Sequence, residues 1–153
     1  MKLFICAIAA LSLASCGQVK STDGDTVTTA MSGAWAGTGS MTTNGGGSTP
    51  CQNIALTLTY TNIDVTVSNI AATCTGSTVN QTTVTFQYSG GILYYAGTAV
   101  GTIGDSEIDI NYNIAGQTES LEFLLTDPTH ITFTESASGS GSSMTLNGTL
   151  VHQ

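Results

Sequence analysis

Hydrophobic and polar side chains alternate along most of the chain in short segments, which are separated by turns rich in Gly and Asn. Ile54, Leu56 and Leu58 share one side of such a segment and threonines occupy the other, as in a half-buried β-strand. Residues 107–114 repeat the pattern, with Ile and Tyr on one side and acidic or amide side chains on the other. Beyond residue 16, no segment carries apolar side chains at helical spacing over three turns. The pattern therefore predicts an all-β protein.

Short turns determine how these strands are arranged. Ala96-Gly97 and Ala115-Gly116 are typical two-residue hairpin loops, and Asp127-Pro128 is a typical turn, while a Ser/Gly loop is predicted at 136–142. Strands joined by tight turns are antiparallel neighbours, so we predict an up-and-down meander of roughly 8–10 strands. We expect it to form a small closed or nearly closed barrel, because few lysines are present to protect open sheet edges. A two-sheet β-sandwich is the alternative.

The first sixteen residues have a different character. Lys2 precedes an apolar run from Leu3 to Leu13, which is too short to span a bilayer as a helix. The run ends in Leu13-Ala14-Ser15-Cys16, which resembles the lipobox of bacterial lipoproteins. In proteins with that signal, the cysteine is lipidated and becomes the first residue of the mature chain. An ordinary secretory signal with a chance cysteine is the alternative.

The lipobox resemblance implies a division of the chain into three parts. Residues 1–15 would be the signal peptide, residues 16–31 the lipidated N-terminus and a flexible tether, and residues 32–153 the β-barrel domain. Gly17 follows the cysteine, and Gram-negative lipoproteins of this kind go to the outer membrane unless Asp holds that position. We therefore expect an outer-membrane lipoprotein that faces the periplasm or the cell surface.

Charge narrows the range of partners. The chain has two basic residues, both lysine, against ten acidic ones, for a net charge of −8. Without a basic patch it cannot neutralise phosphates, which excludes nucleic acid as a partner. The same argument excludes side-chain binding to anionic lipid headgroups, so membrane attachment must come from the lipid on Cys16.

Cys51 and Cys74 are the two cysteines outside the leader and its lipobox. In an oxidising compartment, such a pair predicts one disulfide, here across neighbouring strands. A turn at Asn62-Ile63 would place the two cysteines directly opposite each other. A turn at Thr61-Asn62 would leave them two residues out of register.

Gly33-Ala34-Trp35 opens the first predicted strand and resembles the Gly-x-Trp motif of lipocalin-like (calycin) barrels. In that family the tryptophan plugs the closed end of the barrel, although the arginine that often packs on it has no counterpart here. The resemblance implies a carrier of a small apolar ligand. Few inward positions are Gly or Ala, so a packed core is favoured over a roomy cavity. The candidate ligand-binding residues are Trp35, Tyr60, Tyr88 and Tyr112, and buried tyrosine hydroxyls can mark an open end.

No arrangement of residues in the sequence indicates catalysis. His130 follows a turn and has no recognisable nucleophile or orienting carboxylate, so we interpret it as an exposed turn histidine. Glu119 with Glu122, or Glu135 with Asp127, could in principle act as a glycosidase pair, but nothing in the sequence places either pair in a cleft.

The sequence predicts no metal site and no cofactor. Asp105, Glu107 and Asp109 alternate along one strand face, but about 7 Å between successive side chains is too far for one ion to use all three. Asp23-Gly24-Asp25 lacks the remaining ligands of a calcium loop and is assigned to the tether.

These observations predict a lipid-anchored lipoprotein of the cell envelope that is not an enzyme and acts as an interaction or structural module. A lipocalin-like carrier is the alternative, so the expected partners are a small apolar ligand or an envelope protein. A hydrolase is the third interpretation, and a titratable side chain with a perturbed pKa inside a cleft would favour it.

Overall fold

The computed structural model describes residues 30–104 and 106–153, which form eleven β-strands. Cys16, the predicted signal peptide, most of the predicted tether and Asp105 lie outside the described residues. No helix in the described residues is long and apolar enough to cross a membrane. The strands are β1 (Gly33–Thr43), β2 (Thr49–Tyr60), β3 (Asp64–Cys74), β4 (Ser77–Asn80), β5 (Val84–Ser89), β6 (Ile92–Tyr95), β7 (Thr98–Ile103), β8 (Glu107–Ile114), β9 (Gln117–Asp127), β10 (His130–Gly139) and β11 (Ser142–His152).

The strands form an antiparallel meander that closes on itself. From β5 to β11 each strand pairs with its neighbours in the chain, β11 pairs with β1, and β1 continues through β2 and β3 back to β5. Ten of the described strands thus form a hydrogen-bonded ring, and the predicted all-β barrel is confirmed against the sandwich. The described strands number eleven rather than 8–10, because β4 is a short additional strand outside the ring.

β3 changes partners halfway along its length. Its first part, Asp64 to Val67, pairs with β5, and its last part, Ala71 to Cys74, pairs with β4. Asn69 lies between them in the left-handed region, with φ 55°, where the pairing of β3 with β2 also shifts register. The chain leaves β4 after Asn80 and must cross to β5, which carries residues 81–83 over one end of the barrel.

The predicted hairpin turns are present. Ala96-Gly97 and Ala115-Gly116 both have two successive positive φ angles (50° and 81°, 50° and 82°), as a tight turn between twisted antiparallel strands requires. Ser140-Gly141 has the same geometry, with φ 51° and 79°. The prediction of a Ser/Gly loop at 136–142 is therefore wrong. Strand β10 continues to Gly139, and only a two-residue turn follows it.

Cys51 and Cys74 form the predicted disulfide and lie directly opposite each other on β2 and β3. Tyr60 is opposite Val65, and the N–H of Thr61 donates to the carbonyl oxygen of Asp64 at 2.8 Å. The direct register, the first of the two alternatives, is therefore the one adopted.

The barrel interior is filled by side chains. Inward positions of nearly every strand contribute to one core, as a small barrel of this size requires. Its largest fully buried side chains include Trp35, Phe86, Phe123, Phe133, Met31, Ile54, Leu56 and Leu93.

Candidate functional site

The two ends of the barrel differ in chemistry. The closed end contains Met31, Trp35 and His152, at the start of β1 and the end of β11. Trp35 is 1% exposed, its indole N–H donates to the carbonyl oxygen of Met31 at 2.7 Å, and its ring meets the His152 ring edge-on at 4.8 Å between centroids. Trp35 therefore plugs this end, as its motif implies.

The opposite end, which we call the mouth, opens into a cavity of about 340 Å³. Hydroxyl and amide side chains predominate in its wall, and Gln81 and Glu119 lie among them. The lining residues are Thr43, Asn44, Gln81, Gln117, Glu119, Ala137, Ser138, Gly139, Ser142, Ser143 and Met144.

Glu119 on β9 is one of two carboxyl groups inside the mouth, and it is only 8% exposed. Tyr112 on β8 is its direct cross-strand partner, and the Tyr112 hydroxyl donates to Glu119 Oε2 at 2.6 Å. Burial, and then the hydrogen bond to Glu119, raise the pKa of Tyr112, so the phenol remains protonated. The pair gives Glu119 a fixed position at the base of the mouth.

Glu135 on β10 is the second carboxyl group and is 0% exposed. The Gln81 side-chain amide donates to its Oε1, whereas its buried Oε2 has no hydrogen-bond partner. Burial, together with the charge of Glu119, raises the pKa of Glu135 to about 7, although the Gln81 hydrogen bond acts in the opposite direction. Glu135 therefore changes charge close to neutral pH.

A small cavity of about 10 Å³ is lined by both glutamates and by core residues. That volume corresponds to roughly one water molecule. The small cavity and the mouth share Gln81 and Glu119 in their walls, so the two are neighbours. The remaining wall of the small cavity consists of Val67, Ile70, Thr82, Val84, Tyr112, Leu121 and Glu135.

Sequence reasoning missed this carboxyl pair, although the alternation contained the signal. Leu121 and Phe123 face inward on β9, so Glu119, two residues earlier, must face inward as well. Ile131 and Phe133 place Glu135 inward on β10 in the same way. Glu135 is directly opposite Leu121, and Glu119 is therefore its diagonal neighbour.

The four predicted ligand-binding residues are not brought together. Tyr60 and Tyr88 pack edge-on, with 5.4 Å between ring centroids, near the closed end, where β2 and β5 end. Tyr112 alone belongs to the mouth, where its ring lies 5.2 Å from Phe86 and 5.4 Å from Tyr95.

The other titratable candidates lie on the outside. His130 is 42% exposed and its Nδ1 lies 2.9 Å from the Asp127 carboxylate. Bonds from His130 and from the backbone and hydroxyl of Thr129 lower the pKa of Asp127 to about 2. Glu122 is exposed, as the alternation predicted.

Within residues 30–104 and 106–153, no group of three or more His, Cys, Asp or Glu side chains is placed to hold a metal ion. Glu107 and Asp109 are both exposed on β8, in agreement with their predicted outward orientation.

Comparison with known proteins identifies relatives in structure rather than in sequence. No protein-family model matches the chain, and no curated protein matches it. The S-type phycobiliprotein lyase CPES from Guillardia theta superposes with a TM-score of 0.61 and 8% identity, over 84% of this chain and 92% of the lyase. EF1p2_mFAP2b bound to DFHBI superposes with a TM-score of 0.50 and 13% identity, over 83% of this chain and 97% of that protein.

Both superpositions cover more than four fifths of this chain, so the chain shares its overall fold with these two proteins. At such low identity the similarity concerns the fold, and the chemistry of this chain must be argued from its own mouth.

Proposed function

We propose that this chain is a non-catalytic, lipid-anchored protein of the bacterial cell envelope whose barrel binds a small molecule at the mouth. The observation that carries the proposal is the unpartnered Glu135 oxygen, in a residue that lines a water-sized cavity whose wall shares Gln81 and Glu119 with the open cavity of about 340 Å³. Leaving a buried polar atom unpaired costs about 1–3 kcal/mol. A ligand that supplies the missing partner would recover that free energy, which makes the mouth a binding site rather than a packing defect.

The lining favours a polar ligand over the small apolar ligand of a typical lipocalin-like carrier. The apolar interior is occupied by its own side chains, whereas the wall of the accessible cavity consists mainly of Ser, Thr, Asn and Gln with Glu119, beside Ala137, Gly139 and Met144. EF1p2_mFAP2b holds DFHBI in its solved structure, so a barrel with this architecture can accommodate a small molecule.

Binding is tested by titrating ¹⁵N-labelled protein with a panel of small cationic, anionic, neutral polar and apolar compounds. For at least one compound, we expect amide shifts confined to the segments that line the mouth, which are the end of β1, the segment around Gln81, the start of β9, the end of β10 and the start of β11. Ala137→Trp places an indole in the mouth and should abolish the shifts, whereas Thr132→Trp on the outer face of the same strand should leave them unchanged. If no compound binds, or if both variants bind as the wild type does, the proposal fails.

The envelope location rests on Cys16 and the lipobox before it. Cys16→Ser removes the acylated thiol, so the protein should move from the detergent phase to the aqueous phase in a phase-separation assay. A variant that still fractionates with membranes would show that attachment does not depend on the lipid.

A hydrolase is the second candidate, because Glu135 is a buried carboxyl group with a raised pKa next to Glu119. A general acid must come within hydrogen-bond reach of the reacting atom, and only a water-sized cavity touches Glu135. We therefore expect no hydrolysis of nitrophenyl glycosides or esters. Hydrolysis that Glu135→Gln abolishes and Glu122→Gln preserves would make the chain an enzyme.

A further inference from the structure

Side chains from three different segments of the chain meet at the base of the mouth. Glu119 comes from β9, Glu135 from β10, and Gln81 from the segment that joins β4 to β5. All three line the same water-sized cavity, and Tyr112 and Gln81 each satisfy one oxygen of the two carboxyl groups. Glu135 Oε2 is left without a partner. The free position therefore calls for a hydrogen-bond donor, and two adjacent carboxyl groups favour a positively charged one.

The described residues contain no lysine or arginine that could serve as a cation at this position. Lys2 and Lys20 are the chain's only basic residues apart from two histidines, so the sequence from residue 21 to its last residue contains neither Lys nor Arg. His130 and His152 lie at the closed end, on the first residue of β10 and the last residue of β11. Within the described residues only a proton can neutralise the carboxyl pair, so a cation at this position would have to come from elsewhere.

We infer that the base of the mouth binds the protonated primary amine of a small polar ligand, with Glu135 and Glu119 as its acceptors. The inference rests on the proposed binding function and specifies its ligand. An ammonium group is close to a water molecule in size, so the cavity of about 10 Å³ accommodates it. Tyr112 also lines this cavity, and its hydroxyl holds Glu119 Oε2 in place as an acceptor.

The rest of the ligand would occupy the larger cavity of the mouth. The hydroxyl groups of Ser138, Ser142 and Ser143 and the amides of Asn44 and Gln117 line that space. These groups suit a short chain or ring bearing hydroxyl or carbonyl oxygens. A divalent metal ion fits less well, because Ca²⁺ takes six to eight oxygen ligands and the small cavity offers two carboxyl groups and one amide.

Binding of an amine should be coupled to the charge of Glu135. The titratable groups that face it are Glu119 from β9 and, beyond Glu119, Tyr112 from β8 and Tyr95 from β6. Since an ammonium ion favours the ionised carboxylate, it should expel the proton that Glu135 retains below a pKa of about 7. Affinity should therefore rise as the pH increases from 5.5 to 8, with net release of protons to the buffer.

The test compares 4-amino-1-butanol with 1,4-butanediol, which differ only in the replacement of one hydroxyl by an ammonium group. Isothermal titration of the full chain at pH 8 should show the amine binding at least about tenfold more tightly than the diol. Glu135→Gln and Glu119→Gln should each remove most of that preference. Glu122→Gln removes the same charge from the outer face of β9 and should change affinity by less than about twofold.

The outcomes separate this inference from the proposed function. If the diol binds at the mouth as tightly as the amine, the amine inference is overturned while small-molecule binding stands. If neither probe nor any other compound of the panel binds, both fall. If Glu122→Gln weakens the amine as much as Glu135→Gln does, the attraction is non-specific surface charge and the inference fails.

Two further readouts do not depend on the Glu135 variant folding. Proton release is measured in buffers with different ionisation enthalpies, and equal apparent enthalpies in all of them would contradict the coupling to Glu135. Amine binding is also measured in CaCl₂ and in NaCl at equal ionic strength. If CaCl₂ displaces the amine and NaCl does not, the site binds a metal ion instead.

Discussion

The two ends of this barrel use buried polar groups in opposite ways. At the closed end, the indole N–H of Trp35 has a backbone acceptor, and the aromatic contact with His152 completes a plug. At the mouth, Glu135 has one oxygen paired with Gln81 and one oxygen unpaired. A fully satisfied polar group can be buried at little cost, whereas an unsatisfied one destabilises the fold. The closed end therefore contributes stability, and the mouth retains a site at the expense of stability.

Substitution at the closed end should have the largest effect. Trp35→Ala leaves a cavity in the plug and should lower the free energy of unfolding by roughly 3–5 kcal/mol. Denaturant titration followed by circular dichroism measures the change, since the variant lacks the only tryptophan. A loss below about 1 kcal/mol would mean that the plug contributes no more than an ordinary surface residue, which would contradict the contrast between the ends.

Substitution of Glu135 at the mouth should increase the free energy of unfolding rather than lower it. The folded protein raises the pKa of Glu135 from 4.5 to about 7 and so binds this proton more tightly than the unfolded chain does. The stabilisation is fully present below pH 4.5 and is lost as the pH rises to 7, by up to about 3 kcal/mol. Glu135→Gln should therefore make the protein more stable than the wild type at pH 8 and should remove this part of the pH dependence.

The matched control for Glu135→Gln is Glu122→Gln, which removes an exposed carboxyl group from the neighbouring strand. Urea titrations of both variants and the wild type between pH 4 and 8 isolate the contribution of Glu135. If the two variants follow the same pH profile, the buried carboxyl group is not the source of the destabilisation.

The smallest effect concerns Asp127, near the closed end. Its pKa is lowered from 3.8 to about 2, chiefly by the hydrogen bond to His130 and then by the bonds from Thr129. Its contribution is present above pH 3.8 and is lost as the pH falls towards 2. Asp127→Asn should flatten the acid side of the stability profile slightly, because the pair is exposed and screened by solvent. Asp109→Asn, on the outer face of β8, serves as the control, and equal profiles for the two variants would contradict the role of Asp127.

Much of the fold could be predicted from local patterns. A strand has a side-chain period of two, so alternation assigned most inward and outward positions correctly, including the outward Glu122. Ala96-Gly97 and Ala115-Gly116 identified tight hairpins, because their left-handed backbone matches the strand twist. Cys51 and Cys74 were assigned as a disulfide because they are the two cysteines outside the leader and its lipobox, and the structure confirms the bond.

The site could be predicted only in part. Alternation alone requires Glu119 and Glu135 to face inward, and extending each strand by one step of two residues would have shown it. The prediction of a Ser/Gly loop at 136–142 hid the inward position of Glu135. Ser, Ala and Gly do not differ enough in hydrophobicity for the two-residue alternation of a strand to be recognised.

The amino-acid sequence by itself thus determined most of the strands, their faces and the disulfide, because each depends on residues that are close in the chain or on a single pair. Only the tertiary structure decided that Gln81 reaches Glu135, 54 residues away. That contact requires β3 to pair with β5 along its first part and with β4 along its last part. It also requires the ring to close through the pairing of β1 with β11. Ring closure and register depend on the packing of the whole core, and it is this packing that holds one carboxylate oxygen unpaired behind an open mouth.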